Sequence, residues 1–376
     1  MKILVDGTIF NIYPFGGIAR IYREILPRIA EKNQSIQFYI LCDEDAVTSL
    51  PQHEQIFPLY FRSWKFSPIS LSSRLNNRRK RLFDSKIKKF KPQLFHSTYY
   101  TTSPCENVKS IATVYDLIDY EFSFMMPNGP KFLERQSRVL SQADHVISIS
   151  KSTSERAISA FKIATDKVST IHLDASSLFQ PVSMEDKMKF REQYSHGKSF
   201  FLFVGGTSSY KNLATLIRAF GIIRERTDHL LLLVGHSTKN IDQQYIDLAI
   251  KYQVEDRIIR LIHPNDSILC QAYNAADAFV FPSLQEGFGI PLVEAMRCGT
   301  PIIASDIPVF REICGEGALF FNPHVDKELA EQLNAVIEPA TQNRLAAAGK
   351  ERANLFSWDE AAKKVENIYL EFSNDG

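Results

Sequence analysis

Short apolar runs alternate with longer amphipathic stretches along nearly the whole chain. Ile3 to Val5, Ile36 to Cys42, Pro92 to His96, Ile111 to Val114, His145 to Ser150 and Val168 to Leu173 read as strands. Runs this apolar suit strands covered on both faces of a parallel sheet. Between them the apolar spacing turns helical. Positions 18, 21, 25, 26 and 29 form one such face, with Pro27 expected to kink it. Another helix is expected from Asn128-Gly129-Pro130 through Ala143, with proline in its first turn. Ser152-x-x-Glu155 reads as a capping box for the next. A second series of strands follows at Phe200 to Val204, Leu230 to Val234, Ile258 to Ile262, Ala278 to Phe281, Pro301 to Ala304 and Leu319 to Phe321. Strand, loop and helix repeated in this way predict an α/β protein with two Rossmann-like domains built on parallel sheets.

Composition narrows the picture modestly. At 376 residues, two domains are the natural expectation. Hydrophobic residues make up 44% and charged residues 23%, as in ordinary globular proteins. A formal net charge of +1 gives no global drive toward nucleic acid. The five cysteines (42, 105, 270, 298 and 314) lack metal-type or disulfide-type spacing, which suits a reducing cytoplasm. The chain opens directly on a strand without a signal-peptide pattern, and no apolar run approaches a membrane span.

One charge cluster stands out at residues 74–91, where nine Lys and Arg residues face a single Asp84. Interleaved Leu75, Leu82, Phe83, Ile87 and Phe90 make it a basic amphipathic helix pattern. It reads either as a solvated face or as a patch that docks on anionic lipid, at roughly 1 kcal/mol per basic residue. Its aromatics lie with the apolar positions, which disfavours a base-stacking role. Asp43-Glu44-Asp45 has a metal-type triplet spacing but reads as a solvated strand-end loop. His172 reads as a packed strand residue.

The chemistry concentrates at residues 278–308. A strand ends at Pro282, a loop carries Glu286 and Gly287-Phe288-Gly289, and helical spacing runs from Ile290 to Cys298 before Gly299. Such a loop lies at the carboxyl end of a parallel sheet, where ligands bind. Helix-start N–H groups suit an anion. A carboxylate beside that anion would repel it, so Glu286 and Glu294 suit hydroxyl donors instead. A phosphate flanked by polyols satisfies both, which describes a sugar nucleotide. Gly205 to Asn212 repeats strand, glycine loop and helix. Lys211 falls at a helix start, where a cation costs roughly 0.3–1 kcal/mol unless an anion binds there. Gly16-Gly17 forms the corresponding loop near the N-terminus.

The segment from Glu286 to Ser305, with seven residues between Glu286 and Glu294 and Gly287, Phe288, Gly289, Pro291, Ala295, Gly299 and Pro301 in register, resembles retaining glycosyltransferases of family 4. The resemblance implies the GT-B fold, with a cleft between the domains and a C-terminal helix that crosses back. It implies domains at 1–178 plus 358–376 on the acceptor side and 179–357 for the nucleotide sugar. Glu294 is then expected to hold ribose hydroxyls, and Glu286 to bind the sugar ring as a catalytic residue. Gly16, Gly17, Gly206, Thr207, Lys211, Gly287, Phe288, Gly289 and Ile290 are expected to line the donor. The segment Thr113 to Asp119 resembles the family's THDL segment, with Tyr115 in place of its His. Asp116 is expected to hold the acceptor hydroxyl, or else to cap the following turn. Tyr115 and Asp119 are expected on the acceptor side. The family's Arg after the first glycine is Gly206 here. The loop at His263-Pro264 is expected to border the base.

The resemblance also implies retention of anomeric configuration with no cofactor and no obligatory metal. The YDLI-type segment resembles bacterial surface-polysaccharide mannosyltransferases, so GDP-mannose is the preferred donor, with rhamnose, glucose and N-acetylhexosamine open. A glycan acceptor, lipid-linked, and a cytoplasmic or peripheral membrane location follow from the same likeness. A non-catalytic sugar-nucleotide-binding partner is the alternative. An epimerase lacks its extra acid/base residues here, and a phosphorylase its cofactor lysine and longer chain.

Overall fold

A computed structural model describes residues 1–14, 16–42, 44–60, 90–105, 107–122, 129–235 and 243–374. The basic segment 74–91 therefore lies outside the described residues except for its last two, as does Asp43 of the acidic triplet. The chain forms two compact units, Met1–Leu173 with Ser357–Gly376, and Asp174–Phe356.

The first unit holds seven parallel strands: β1 (Lys2–Asp6), β2 (Gln37–Cys42), β3 (Ile56–Tyr60), β4 (Leu94–Ser97), β5 (Lys109–Val114), β6 (His145–Ser148) and β7 (Val168–Thr170). Their order is β3-β2-β1-β4-β5-β6-β7. β1, β4 and β6 are almost wholly buried, as continuous apolar runs require. β2 alternates between buried and half-buried positions beside the edge. β3 is the edge strand itself, and that is where its Pro58 is tolerated. The C-terminal helix Trp358–Asn374 belongs to this unit. Its Tyr369 is fully buried, and Glu366 accepts a hydrogen bond from Asn33 at 2.8 Å. Among the described residues no helix is long and apolar enough to cross a membrane.

The second unit repeats the plan with six parallel strands: β8 (Phe200–Val204), β9 (Leu230–Gly235), β10 (Ile258–Ile262), β11 (Ala278–Phe281), β12 (Ile302–Ser305) and β13 (Ala318–Phe321). Their order is β10-β9-β8-β11-β12-β13. Phe201, Phe203, Leu231, Val280 and Ile303 of this sheet pack with Leu216 and Phe220 of the helix Leu213–Ile223 and with Leu329 and Leu333 of Asp326–Ala335. Both units are thus doubly wound and Rossmann-like. In each, strand order reverses once, between β1 and β4 and between β8 and β11. Such a switch point opens a crevice at the carboxyl ends of its two strands.

Two expected details differ. The helix Lys151–Phe161 is capped by Ser150, whose hydroxyl accepts from the Thr153 N–H at 3.0 Å. Ser152 instead sits buried in its first turn. Ser150 has the extended backbone an N-cap needs, while Ser152 is already helical. The loop after β1 is also not plain: it contains a short helix, Thr8–Ile12, ahead of Gly17–Lys32.

Candidate active site

In the second unit the loops after β8 and β11 meet at the switch point. Lys211 comes from the first and Glu286 from the second, and their Nζ and Oε1 atoms lie 2.6 Å apart. The side chains are only 16% and 12% exposed. The Lys211 ammonium also lies 5.2 Å from the ring centres of both Tyr210 and Phe281. A cation is thereby held at the sheet's carboxyl end with one carboxylate as counter-charge.

Asn212 fixes that geometry. Its φ of 57° is left-handed, a conformation asparagine tolerates better than most residues. The side-chain amide donates to Pro282 O at 3.1 Å and to Pro323 O at 2.8 Å, and its oxygen accepts from the Thr215 hydroxyl at 2.7 Å. One residue thus ties the loops after β8, β11 and β13. Leu284 N–H donates to Tyr210 O at 2.7 Å, and Tyr245 OH to Thr207 O at 3.1 Å.

The helix Ile290–Cys298 begins at Gly289, whose φ is 93°. A Cβ there would lie 2.9 Å from the Leu292 side chain, so the position requires glycine. Neither this helix nor Leu213–Ile223 has an acidic residue in its first turn, so both positive ends remain uncancelled by local carboxylates. Glu294 sits one turn into the helix, 4% exposed, and accepts from Tyr273 OH at 3.0 Å. The Phe288 ring is buried edge-on against Phe356, at 5.8 Å between centres, so any part it plays toward a ligand falls to its backbone. Gly287 is buried beside it, and Ile290 is half-buried at the helix start. Gly206 has no neighbour within 4 Å of where a Cβ would sit, and its φ is not left-handed. Protein packing therefore gives it no reason to be glycine, whereas a ligand over the loop would. Among the described residues, no group of three His, Cys, Asp or Glu side chains is placed to hold a metal.

Several residues here carry no sequence signal of their own. Gly235, at the end of β9, would put a Cβ 2.1 Å from Gly205 O, which lets β9 close on the glycine loop. Arg297 donates to both oxygens of Asp174, at 2.9 and 2.7 Å, and to Phe356 O at 3.0 Å. It clamps both ends of the second unit. Tyr273 joins them through its hydrogen bond to Glu294.

The first unit has its own crevice, where the loops after β1, β4 and β5 converge. Asp6 accepts from the Thr8 N–H and hydroxyl at 2.9 and 2.5 Å and from Tyr99 N–H at 3.3 Å. Tyr115 is turned into the core, 3% exposed, rather than toward a surface that an acceptor would touch. Its hydroxyl donates to Thr98 O at 2.8 Å and lies 2.6 Å from Tyr22 OH. The network continues through Thr113 to His96, whose Nε2 lies 2.8 Å from Thr113 Oγ1 and whose Nδ1 lies 2.6 Å from Tyr369 OH. Burial pushes the His96 pKa down to about 3 and raises the tyrosine hydroxyls well above their usual range. Tyrosine at position 115 therefore acts as a buried strut, not a proton carrier.

Asp116 is half-buried, and its Oδ1 accepts from Ile118 N–H at 3.0 Å, which caps the short helix Ile118–Phe122. Asp119 lies in that helix, its side chain outside the described residues. Gly16 caps the helix Gly17–Lys32, and a Cβ on Gly17 would meet nothing within 4 Å, as at Gly206. His263 has a left-handed φ of 50° and is exposed after β10.

Comparison with known proteins agrees with this construction. Residues 184–352 match the family model described as Glycosyl transferases group 1, and residues 15–173 match Glycosyltransferase Family 4. The serotype-specific mannosyltransferase WbdA of Escherichia coli is 30% identical over 293 residues, which are 71% of this chain and 34% of WbdA. The chain thus spans about a third of that relative's length. O-antigen chain mannosyltransferase B of Escherichia coli is 24% identical over 376 residues, 95% of this chain and 96% of that one. Sucrose-phosphate synthase from Thermosynechococcus elongatus shares the fold, with a TM-score of 0.80 at 20% identity over the whole of both chains.

Proposed function

Since the chain belongs to the group 1 and family 4 glycosyltransferases, we propose that it transfers a hexose from a nucleotide sugar to a glycan in surface-polysaccharide synthesis. Mannose from GDP-mannose is the preferred donor, because the similar proteins include a serotype-specific mannosyltransferase and an O-antigen chain mannosyltransferase. The observation that carries the reading is the Lys211–Glu286 pair at the second unit's switch point, between two helix starts free of acidic residues.

The chemistry follows from charge exchange. Without donor, Lys211 and Glu286 neutralise each other. A bound diphosphate offers Lys211 a doubly charged partner, which releases Glu286 to accept hydrogen bonds from sugar hydroxyls and orient the anomeric carbon. Glu294, steadied by Tyr273, accepts from the ribose hydroxyls. Hydrogen bonds to a charged group contribute about 1.5–3 kcal/mol each. As the sugar–phosphate bond breaks, negative charge grows on the diphosphate, where Lys211 and the helix N-termini stabilise it. No obligatory metal is needed, because these groups supply the positive charge. The leaving phosphate oxygen takes the proton of the attacking hydroxyl on the same face, so configuration is retained. The acceptor, a lipid-linked glycan, is bound by the first unit, and Asp116 orients its hydroxyl.

The test is a donor panel on the purified chain, scoring free GDP, UDP or dTDP with and without EDTA. Release of GDP from GDP-mannose alone, unaffected by EDTA, is expected. Release blocked by EDTA would overturn the metal-free mechanism. Binding without release, even with glycan-lipid extract added, would mark a non-catalytic binder.

A further inference from the structure

At the first unit's switch point the loops after β1 and β4 bring aromatic rings together at the surface. Tyr13 is 55% exposed and lies 6.2 Å from Tyr99, ring centre to ring centre. Tyr99 lies 5.8 Å from Phe132, in the first turn of the helix Gly129–Gln142. Tyr99 and Phe132 are both partly exposed. The Arg135 guanidinium sits 5.1 Å from the centre of the Phe132 ring and 5.9 Å from that of Tyr99. Its Nε is shut off from solvent and has no hydrogen-bond partner among the described residues.

This arrangement is costly for folding alone. An exposed tyrosine gains little from burial, and a buried N–H without a partner forfeits a hydrogen bond. The cluster is anchored from below: Tyr99 N–H donates to Asp6, Gly16 N–H donates to Tyr13 O, and Arg23 holds Pro14 O and Ser49 O at 2.7 and 2.9 Å. The rings therefore stand on a fixed base at the sheet end where ligands bind. Aromatic faces are negative. The C–H faces of a pyranose are weakly positive, and its rim is set with hydroxyls. The exposed Tyr13 ring, with the Arg135 guanidinium close by over Tyr99 and Phe132, matches both features of a sugar. A lipid chain would leave the guanidinium unanswered.

We propose that Tyr13, Tyr99, Phe132 and Arg135 form a sugar-stacking subsite that holds a pyranose of the acceptor glycan. The inference rests on the glycosyltransferase reading and adds to it where the acceptor binds. Tyr115, buried beneath, is then a support for the loop after β4 and not an acceptor contact.

Three measurements on the full chain test it. Saturation-transfer NMR with α-mannobiose, cellobiose and chitobiose reads binding without activity. At least one is expected to bind wild type, and Tyr13→Ala and Arg135→Ala are expected to weaken it about five- to tenfold. Tyr13→Phe, which keeps the ring, retains binding. In a transfer assay the same Ala variants raise acceptor KM by a similar factor, while donor hydrolysis without acceptor stays within about twofold of wild type. Hydrolysis absent from wild type would defeat the parent reading. Intact hydrolysis with unchanged acceptor KM in both Ala variants would overturn the subsite alone. Binding of none of the saccharides, with Tyr13-dependent retention on phosphatidylglycerol vesicles instead, would also overturn it, in favour of a lipid contact. Circular dichroism melts matching wild type keep the variants interpretable.

Discussion

His96 illustrates how much a single residue costs when its surroundings forbid charge. It is buried between Thr113 and Tyr369, and its pKa falls from 6.5 to about 3. The folded state therefore stays unprotonated where the unfolded chain binds a proton. Stability is fully present above pH 6.5 and is lost as pH falls from 6.5 toward 3, at about 1.4 kcal/mol per pH unit. Denaturant titrations of wild type and His96→Gln across this range are expected to differ in slope by close to one proton. Equal slopes would mean that His96 titrates normally. Residues at this scale were unevenly legible. Glu286 and Glu294 stand out because a loop rich in glycine fixes their neighbours in the chain. Tyr115 does not, because whether a tyrosine faces a ligand or the core depends on Tyr22 and Thr98, far away in sequence.

At the scale of elements, polar side chains at strand ends decide where loops lie. Asn212 joins three of them, with a backbone that most residues resist. Asn212→Ala loses both amide bonds and strains φ, and is expected to lower stability by about 2–4 kcal/mol and to abolish donor hydrolysis. Asn212→Gly relieves only the strain, so it should be the more stable variant yet equally inactive. Activity near wild type in the glycine variant would show that the loops hold without Asn212. Most strands and the helix Ile290–Cys298 were plain from apolar runs and Gly299. β3 was not, since Pro58 breaks the strand pattern and only the edge position makes it acceptable. The Ser150 cap was misread because Ser152 and Glu155 imitate a capping box two residues too late.

At the scale of the whole molecule, the chain returns to its first unit after completing the second. Tyr369 plugs the first unit's core beside Phe38 and His96. Tyr369→Ala is expected to destabilise that unit by about 3–5 kcal/mol and to leave the other untouched. Hydrogen exchange by mass spectrometry should show loss of protection within residues 1–173 and 357–376 only. Uniform loss across both units would mean that they unfold together. The doubled Rossmann plan was legible because each half repeats strand, glycine loop and helix. The switch points were not, because strand order is not written in any local pattern.

The central claim is that Lys211, Glu286 and Glu294 hold a nucleotide sugar. Calorimetric titration of the full chain with GDP and with 2′-deoxy-GDP tests it most directly. Wild type should bind GDP more tightly by about ten- to hundredfold, the value of one hydroxyl bonded to a carboxylate. In Glu294→Ala that preference should vanish, while Lys211→Ala should weaken both nucleotides alike. Equal affinity of wild type for the two nucleotides, or a preference that survives in Glu294→Ala, would contradict the account.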